Sequence, residues 1–219
     1  MTSIVRAGGS AAPTNATSVA YTVTFSEAVT GVTAGDFSLF RIGNVNGAVT
    51  NVVGSGTTWT VTVANITGEG TLRLDLRDSG TDIVDTAGNP ISGGHEGNQT
   101  YTFDHTNPAV ASIVRATPVA GTTNLATVEY TVTFTEAVSG VGASDFALTP
   151  GGNATGQISN VVPAGDGLTY TVTVNNISGD GSLRLDLKGS GTGIVDVAGN
   201  SASGYTSGEA YDIDRVSPD

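Results

Sequence analysis

Several residue types are scarce or missing in this sequence, and their scarcity narrows its chemistry. There is no cysteine, and the 219 residues include only two histidines and a single lysine, Lys188. The lack of cysteine excludes disulfides, thiolate metal sites and cysteine nucleophiles. His95 and His105 are too few for a zinc site. Because no nucleophile elbow or phosphate-binding loop is found either, we expect a protein that is not an enzyme.

Long hydrophobic runs are missing as well. The apolar stretches are far too short to cross a bilayer, and the N-terminal sequence MTSIVRAGGS lacks the basic and then apolar order of a signal peptide. We therefore expect no membrane insertion, and the sequence leaves the route of export open. We also expect this stretch to be part of a longer protein with further domains on both sides.

Basic residues are outnumbered by acidic ones. Eight lysines and arginines stand against twenty aspartates and glutamates, which gives a net charge of −12. This charge repels nucleic acid and anionic membranes and attracts cations. We therefore expect no nucleic-acid partner, and we expect the protein to be a monomer.

The sequence is dominated by an internal repeat of about 110 residues. Three motifs return in the same order: SIVRA (3–7 and 112–116), YTVTF (21–25 and 130–134) and LRLDL (72–76 and 183–187). The changes in length between the copies fall in glycine-rich stretches, as expected for loops of a duplicated folded unit. We predict two domains, residues 1–107 and residues 108–219.

Within each repeat the hydrophobic pattern has a period of two, which is typical of β-strands. Val19, Tyr21, Val23 and Phe25, for example, alternate with alanine and threonines, and no segment shows a helical stripe. The 31 glycines and turn motifs such as NITGEG separate about seven strands per repeat. This strand count indicates an antiparallel immunoglobulin-like sandwich. Strands A to G of the first repeat are assigned to residues 3–7, 18–27, 36–42, 48–53, 58–64, 71–77 and 100–104.

Four segments in fixed order carry a family resemblance: YTVTFSEAVTGVTAGDFSL, WTVTVANITGEGTLRLDL, SGTDIVDTAGN and YTFDHTNP. They resemble the bacterial immunoglobulin-like (Big) repeats of very long adhesins that are secreted or bound to the bacterial surface. The resemblance covers the whole chain, once per repeat. It implies an all-β fold of two tandem immunoglobulin-like sandwiches arranged end to end, an extracellular or cell-surface location, and extender domains that are often stiffened by calcium at their junctions.

Acidic and amide residues recur at one end of each predicted sandwich. In an immunoglobulin strand order, the turn after strand B and the loop after strand F lie at the same end, where the chain enters the domain. The residues gathered there are Glu27, Asp36, Asp85 and Asn89 in the first repeat, and Glu136, Asp145, Asp196 and Asn200 in the second. Carboxylate and amide oxygens are ligands that Ca²⁺ prefers, so Ca²⁺ is the one cofactor that we predict.

Three further acids complete the candidate metal ligands. Asp104 closes strand G, and the short linker after it brings it to the ligand set of the second repeat. Asp214 holds the matching place in that repeat, whereas Asp82 precedes the loop motif and is replaced by Gly193 in the second copy. Alternation from Phe25 places Glu27 on the inward side of strand B, where a carboxylate is costly unless it is hydrated or meets a cation.

The same residues also have a purely structural interpretation. The repeated Asp-x-Ala-Gly-Asn stretch makes a good turn, because glycine or asparagine supplies a positive φ and aspartate accepts hydrogen bonds from the backbone. Asp36 and Asp145 are equally compatible with solvated residues that start strand C. The sequence leaves these alternatives open, and turn formation is compatible with metal binding.

Two noncatalytic functions remain. The chain is either an extender that holds a remote adhesive domain away from the cell, or itself a module that binds a glycan or a protein. Carbohydrate binding favours exposed aromatic side chains grouped on one face. Only Phe40 and Tyr205 are expected to be exposed, and they are scattered. The sequence therefore favours the extender, whose partners are the neighbouring immunoglobulin-like repeats of the same chain.

Overall fold

The alternating segments of the sequence form β-strands in the computed structural model, which describes residues 3–8 and 13–217. In the segment Ser18–Thr24, Tyr21 and Val23 are fully buried, while the threonines next to them keep part of their surface exposed. The described residues contain no helix long and apolar enough to cross a membrane. The chain divides into two units, Met1–His105 and Thr106–Asp219, each with its own core.

The first unit is an antiparallel sandwich. Its strands are β1 (Ser3–Arg6), β2 (Ser18–Thr24), β3 (Val29–Thr30), β4 (Phe37–Gly43), β5 (Asn46–Ser55), β6 (Thr58–Thr67), β7 (Gly70–Leu76), β8 (Val84–Asp85) and β9 (Thr100–Phe103). One sheet has the order β1-β2-β6-β5, the other has the order β4-β7-β9, and β3 pairs with β8. In letters these two sheets are A-B-E-D and C-F-G, which is the immunoglobulin order of a seven-stranded domain.

The second unit repeats this arrangement. Its strands are β10 (Val110–Thr117), β11 (Thr122–Thr123), β12 (Val128–Phe134), β13 (Phe146–Pro150), β14 (Thr155–Pro163), β15 (Thr169–Ser178), β16 (Gly181–Leu187) and β17 (Ala210–Ile213). The sheets have the orders β10-β12-β15-β14 and β11-β17-β16-β13, and β11 runs parallel to β17. The prediction of immunoglobulin-like β-sandwiches is therefore confirmed for both repeats.

A tyrosine in the middle of the B strand links the two sheets of each core. The hydroxyl of Tyr21 donates to the carbonyl of Leu72 at 2.8 Å, and the hydroxyl of Tyr130 donates to the carbonyl of Leu183. Burial raises the pKa of both phenols above the ordinary value. A buried hydroxyl without a partner costs about 1–3 kcal/mol, so these two bonds favour one fixed packing of the sheets.

The basic side chains lie on strands or close to strand ends, and not in the long loops. On the outer face of the first unit, Arg73 forms a two-pronged ion pair with Asp75 (2.7 and 3.0 Å), and Arg184 and Asp186 repeat this pair in the second unit. The ion pair is therefore conserved in its place between the two copies of the LRLDL motif. The remaining basic residues on strands or at strand ends are Arg6, Arg41, Arg77, Arg115 and Lys188, and Arg215 lies two residues beyond the end of β17.

Candidate functional site

Two very short strands bring the candidate loops of the first unit together. β3 lies in the loop after β2 and β8 lies in the loop after β7, and they pair through Val29 with Asp85 and Thr30 with Val84. The backbone approaches closely here, because an added Cβ on Gly31 would lie 2.4 Å from the carbonyl oxygen of Asp82, and the φ angle of Gly31 is +82°. Sequence reasoning missed this pairing, since strands of two residues carry no alternating pattern.

The repeated Asp-x-Ala-Gly-Asn stretch is folded around its aspartate. In the first unit, Oδ1 of Asp85 accepts hydrogen bonds from the N–H groups of Ala87 and Asn89, both at 2.8 Å. The side-chain amide of Asn89 donates to Oδ2 of Asp85, also at 2.8 Å. These bonds, led by the one from the Asn89 side chain, lower the pKa of Asp85. The turn interpretation is therefore correct for this loop.

A polar cleft of about 140 Å³ lies against this loop in the first unit. Its lining residues are Phe25, Ser26, Glu27, Val29, Asp85, Asn89, Pro90, Ile91 and Ser92. The lining has two carboxylates and no basic side chain, so Glu27 and Asp85 face the cleft without a neighbouring cationic group in it. The structure thus brings together three of the predicted ligands, Glu27, Asp85 and Asn89.

The reason given for Glu27 from its parity in strand B is wrong. The strand ends at Thr24, three residues earlier than predicted, so the inward alternation does not extend to position 27. Glu27 is exposed, so it bears no burial cost that a cation would have to relieve. Its place beside Asp85 is the relevant observation.

The same loop in the second unit is more deeply buried. Asp196 keeps only 5% of its surface exposed, and it accepts hydrogen bonds from the N–H groups of Gly199 (2.7 Å) and Asn200 (2.8 Å) and from the Asn200 side chain (2.9 Å). Burial acts to raise the pKa of Asp196, but these hydrogen bonds outweigh it and the pKa is lowered. Carboxylate oxygens of Glu136 and Asp196 lie within 4.8 Å of each other.

Asp36 and Asp145 are not the solvated residues that one interpretation expected. Both are 3% exposed, and each closes a 3₁₀ turn that leads into strand C. Oδ2 of Asp36 accepts from the N–H (2.6 Å) and the hydroxyl (3.0 Å) of Thr33, and Oδ2 of Asp145 accepts from the N–H of Gly142 (2.7 Å). The Thr-x-x-Asp spacing in the first repeat is a capping signal that sequence reasoning overlooked.

Three candidate acids remain: Asp82 and Asp104 in the first unit and Asp214 in the second. Asp82 is exposed, and its backbone, not its carboxylate, is the part that contacts Gly31. Asp214 is exposed and accepts from the N–H of Val216 at 3.1 Å. Asp104 is half-buried, and its N–H donates to the carbonyl of Thr14 at 3.1 Å. None of the three is part of the lining described above.

The cleft of the first unit suits a hard cation better than an organic ligand. Ca²⁺ takes six to eight oxygen ligands, and Glu27, Asp85 and Asn89 supply carboxylate and amide oxygens, with backbone carbonyls and water for the rest. The hydrogen bonds within the loop hold Asp85 charged, as a metal ligand must be. The residues present therefore fit the predicted ion in their chemistry.

Comparison with known proteins bears on the family. The sequence profile of the bacterial Ig-like domain matches residues 104–213, which are 110 of the 219 residues. A search of curated protein sequences gives no match. Among solved structures the chain is similar to FdeC, described as a novel broadly conserved Escherichia coli adhesin eliciting protection against urinary tract infections. The TM-score is 0.44 and the identity 15%, with 96% of this chain and 63% of that chain covered. On the profile match, which spans half of the sequence, this chain belongs to the bacterial Ig-like domain family.

Proposed function

We propose that this chain is a calcium-stiffened extender segment of a large bacterial surface adhesin, without catalytic activity of its own. The observation that carries the proposal is the duplication of a complete sandwich together with its acidic loop. β9 ends at Phe103 and β10 begins at Val110, so few residues connect the two copies. A short connection between equal sandwiches suits a spacer, because a repeated spacer adds length without adding new binding chemistry.

The acidic loops are the proposed calcium sites. In the first unit the ligands are Glu27, Asp85 and Asn89. In the second unit they are Glu136, Asp196 and Asn200, and the prediction that Asp104 joins them rests on the short linker that follows strand G. A bound Ca²⁺ would neutralise these carboxylates and hold the loops after the B and F strands together.

Four of the candidate acids have smaller parts in this proposal: Asp36, Asp145, Asp82 and Asp214. The first two shape the turn next to the site, and we expect their loss to change binding by distorting that turn and not by removing a ligand. Asp82 and Asp214 are exposed and are not included in the proposed ligand set. Substitutions at these two positions can therefore be compared with substitutions of the proposed ligands.

Calorimetric titration with Ca²⁺ tests the sites. We expect a dissociation constant near 10⁻⁴ to 10⁻³ M or somewhat tighter, as in other extracellular modules. Asp85→Ala should remove one site and Asp196→Ala the other, whereas Asp212→Ala, an exposed change on β17, should leave both. Asp104→Ala should weaken the second site while the first unit stays folded. If Asp85→Ala and Asp196→Ala bind Ca²⁺ as the parent does, the calcium sites are not these loops.

The alternative, a module that binds a glycan or a host protein, is distinguished by the same protein immobilised on a glycan array. If the chain is an extender, we expect the array to retain no glycan, since each unit has a single such aromatic residue, the exposed Phe40 in the first and the half-buried Tyr205 in the second. Saturable binding of a glycan would replace the extender with the binding module.

A further inference from the structure

Strand β4 is the outer strand of its sheet in the first unit, and one of its edges is open. At its two ends, the N–H of Arg77 donates to Asp36 and the N–H of Asn44 donates to Glu69, so the even-numbered residues of β4 face β7. The N–H and C=O groups of Leu39 and Arg41 therefore point away from the sheet. In the part of the chain that the structure describes, no other strand pairs with them on that side.

The open edge is flanked by exposed apolar side chains. Phe40 is 48% and Ile42 is 61% exposed, and both lie on the outer face of β4. The guanidinium of Arg73 lies over the Phe40 ring at 4.8 Å, and it is also paired with Asp75 and Glu96. These contacts hold the Phe40 ring in place beside the edge. An edge strand with exposed apolar residues is a template for pairing with another strand.

The second repeat blocks the same edge at one position. The two strands can be aligned through their partners across the sheet. Phe40 pairs with Arg73, and Thr149 pairs with the equivalent Arg184, so Thr149 corresponds to Phe40. The next residue, Pro150, therefore corresponds to Arg41. Proline has no N–H, so it blocks pairing at the very position where Arg41 offers one. β13 also has five residues where β4 has seven. One chain therefore contains an open and a blocked version of the same strand.

We propose that the β4 edge of the first unit pairs antiparallel with the β4 edge of a second copy of this chain. The register that fits the open groups sets Phe40 opposite Phe40 of the second copy, with Leu39 opposite Arg41. In this register, Leu39 and Arg41 of each copy exchange four backbone hydrogen bonds across the edge. The two Phe40 rings become a close cross-strand pair, and Ile42 faces Ser38 of the other copy.

Charge favours this register over the next one. A shift that sets Arg41 opposite Arg41 would place like charges face to face, which is destabilising, and it would separate the two Phe40 rings. Two copies of β4 in this register bond the open N–H and C=O groups of Leu39 and Arg41 to each other and pair the two Phe40 rings. For this reason we assign a second copy of this chain, and not an unrelated peptide, to the edge. The interface is small, so the association is weak and transient. With such a weak association, we expect the protein to be a monomer in dilute solution and to pair where neighbouring chains are crowded.

The absence of cysteine from the chain allows a direct test of the register. Ser38 of one copy and Ile42 of the other form a close pair, whose Cα separation of about 4.5 Å permits a disulfide. Under mild oxidation, a mixture of the Ser38→Cys and Ile42→Cys proteins should form disulfide-linked dimers at least about tenfold faster than either protein alone. Val119→Cys, an exposed position between β10 and β11, is the control for random collision.

Two further variants keep the test independent of the introduced cysteines. Arg41→Pro and Phe40→Thr copy what the second repeat carries, so both should fold, as circular dichroism would verify. Each should remove the concentration-dependent sedimentation that we expect of the parent, whereas Val119→Thr, an exposed change between β10 and β11, should leave it unchanged. The proposal is overturned if the mixture crosslinks no faster than the single variants, or if the parent sediments as a monomer up to about 1 mM, the weak end of measurable association. It is also overturned if folded Arg41→Pro associates as the parent does.

Discussion

At the scale of single residues, Asp196 shows how a buried carboxylate is kept charged. The hydrogen bonds from Gly199 and Asn200 lower its pKa although burial opposes this. A group whose pKa is lower in the folded than in the unfolded chain adds stability above the unfolded value, and this stability is lost as the pH falls through the folded value. The second unit should therefore lose stability below about pH 4, the ordinary value for an aspartate.

The Asp196→Asn variant tests this assignment. In calcium-free buffer at pH 7, we expect the free energy of unfolding of the second unit to fall by about 1–3 kcal/mol, the cost of disturbing a buried hydrogen-bonded group. Between pH 7 and pH 3 the variant should lose less stability than the parent, because the titrating carboxylate is gone. Urea unfolding at both pH values is the measurement, with exposed Asp212→Asn as the control. An equal acid loss in parent and variant would show that other carboxylates carry it.

Residue patterns predicted the core better than they predicted the ends of strands. Tyr21 and Val23 are buried as their alternation required, because a strand within a sheet forces side chains to opposite faces. Glu27 was assigned by the same count, but the chain had already left the sheet and the count no longer applied. One of the two interpretations of Asp36 placed it in solvent, but it is buried, since its partner is Thr33, three residues earlier in the turn. Local hydrogen bonding of this kind has no signature in a hydrophobic pattern.

At the scale of elements, the pairing of β3 with β8 depends on the backbone at Gly31. A methyl group there would meet the carbonyl of Asp82, and the φ angle of +82° is unfavourable for other residues. Gly56 has a similar φ of +62° but no atom within 4 Å of the added Cβ. The two glycines therefore separate the cost of the clash from the cost of the backbone conformation.

We expect Gly56→Ala to lower the free energy of unfolding by about 1–2 kcal/mol, the cost of a left-handed conformation for a residue with a side chain. Gly31→Ala should cost clearly more and should also weaken calcium binding by the first unit, because the loop that contains Asp85 is displaced. Chemical denaturation and calorimetry of both variants provide the comparison. Equal losses would mean that the contact between the two loops adds nothing to the stability of the unit.

The strand order of the sandwich followed from the sequence, but three of its elements did not. The D strand was predicted at 48–53, whereas β5 covers Asn46–Ser55, because its bulges interrupt the alternation on which the prediction depended. The short β3 and β8 were missed altogether. The pairing of β3 with β8 determines which acidic residues line the cleft. The residue types of the candidate site could therefore be predicted from the sequence, but not which of the candidate residues lie together.

At the scale of the whole molecule, the linker between the repeats carries the proposed mechanical role. Six residues lie between β9 and β10, among them Thr106, Asn107 and Pro108, and proline fixes one of the torsions. If Ca²⁺ binds beside this linker, it should narrow the remaining range of angles. Small-angle scattering in Ca²⁺ and in chelator is the measurement, and we expect a longer and narrower distance distribution with the ion. Asp104→Ala should reduce the difference, and identical curves for the parent in both buffers would count against calcium stiffening.

The placement of the basic residues has a consequence for survival outside a cell. Proteases of the trypsin type cut after lysine and arginine, and they need several residues of extended, unpaired backbone to do so. Here seven of the eight basic residues lie on strands or directly after them, and the N–H groups of Arg77 and Lys188 donate to backbone carbonyls where the strands end. The eighth, Arg215, is exposed two residues beyond β17. The long loops, residues 78–99 and 189–209, contain no lysine or arginine. These loops thus offer such enzymes no residue to recognise, and at the seven residues on or beside strands digestion has to wait for a sheet to open.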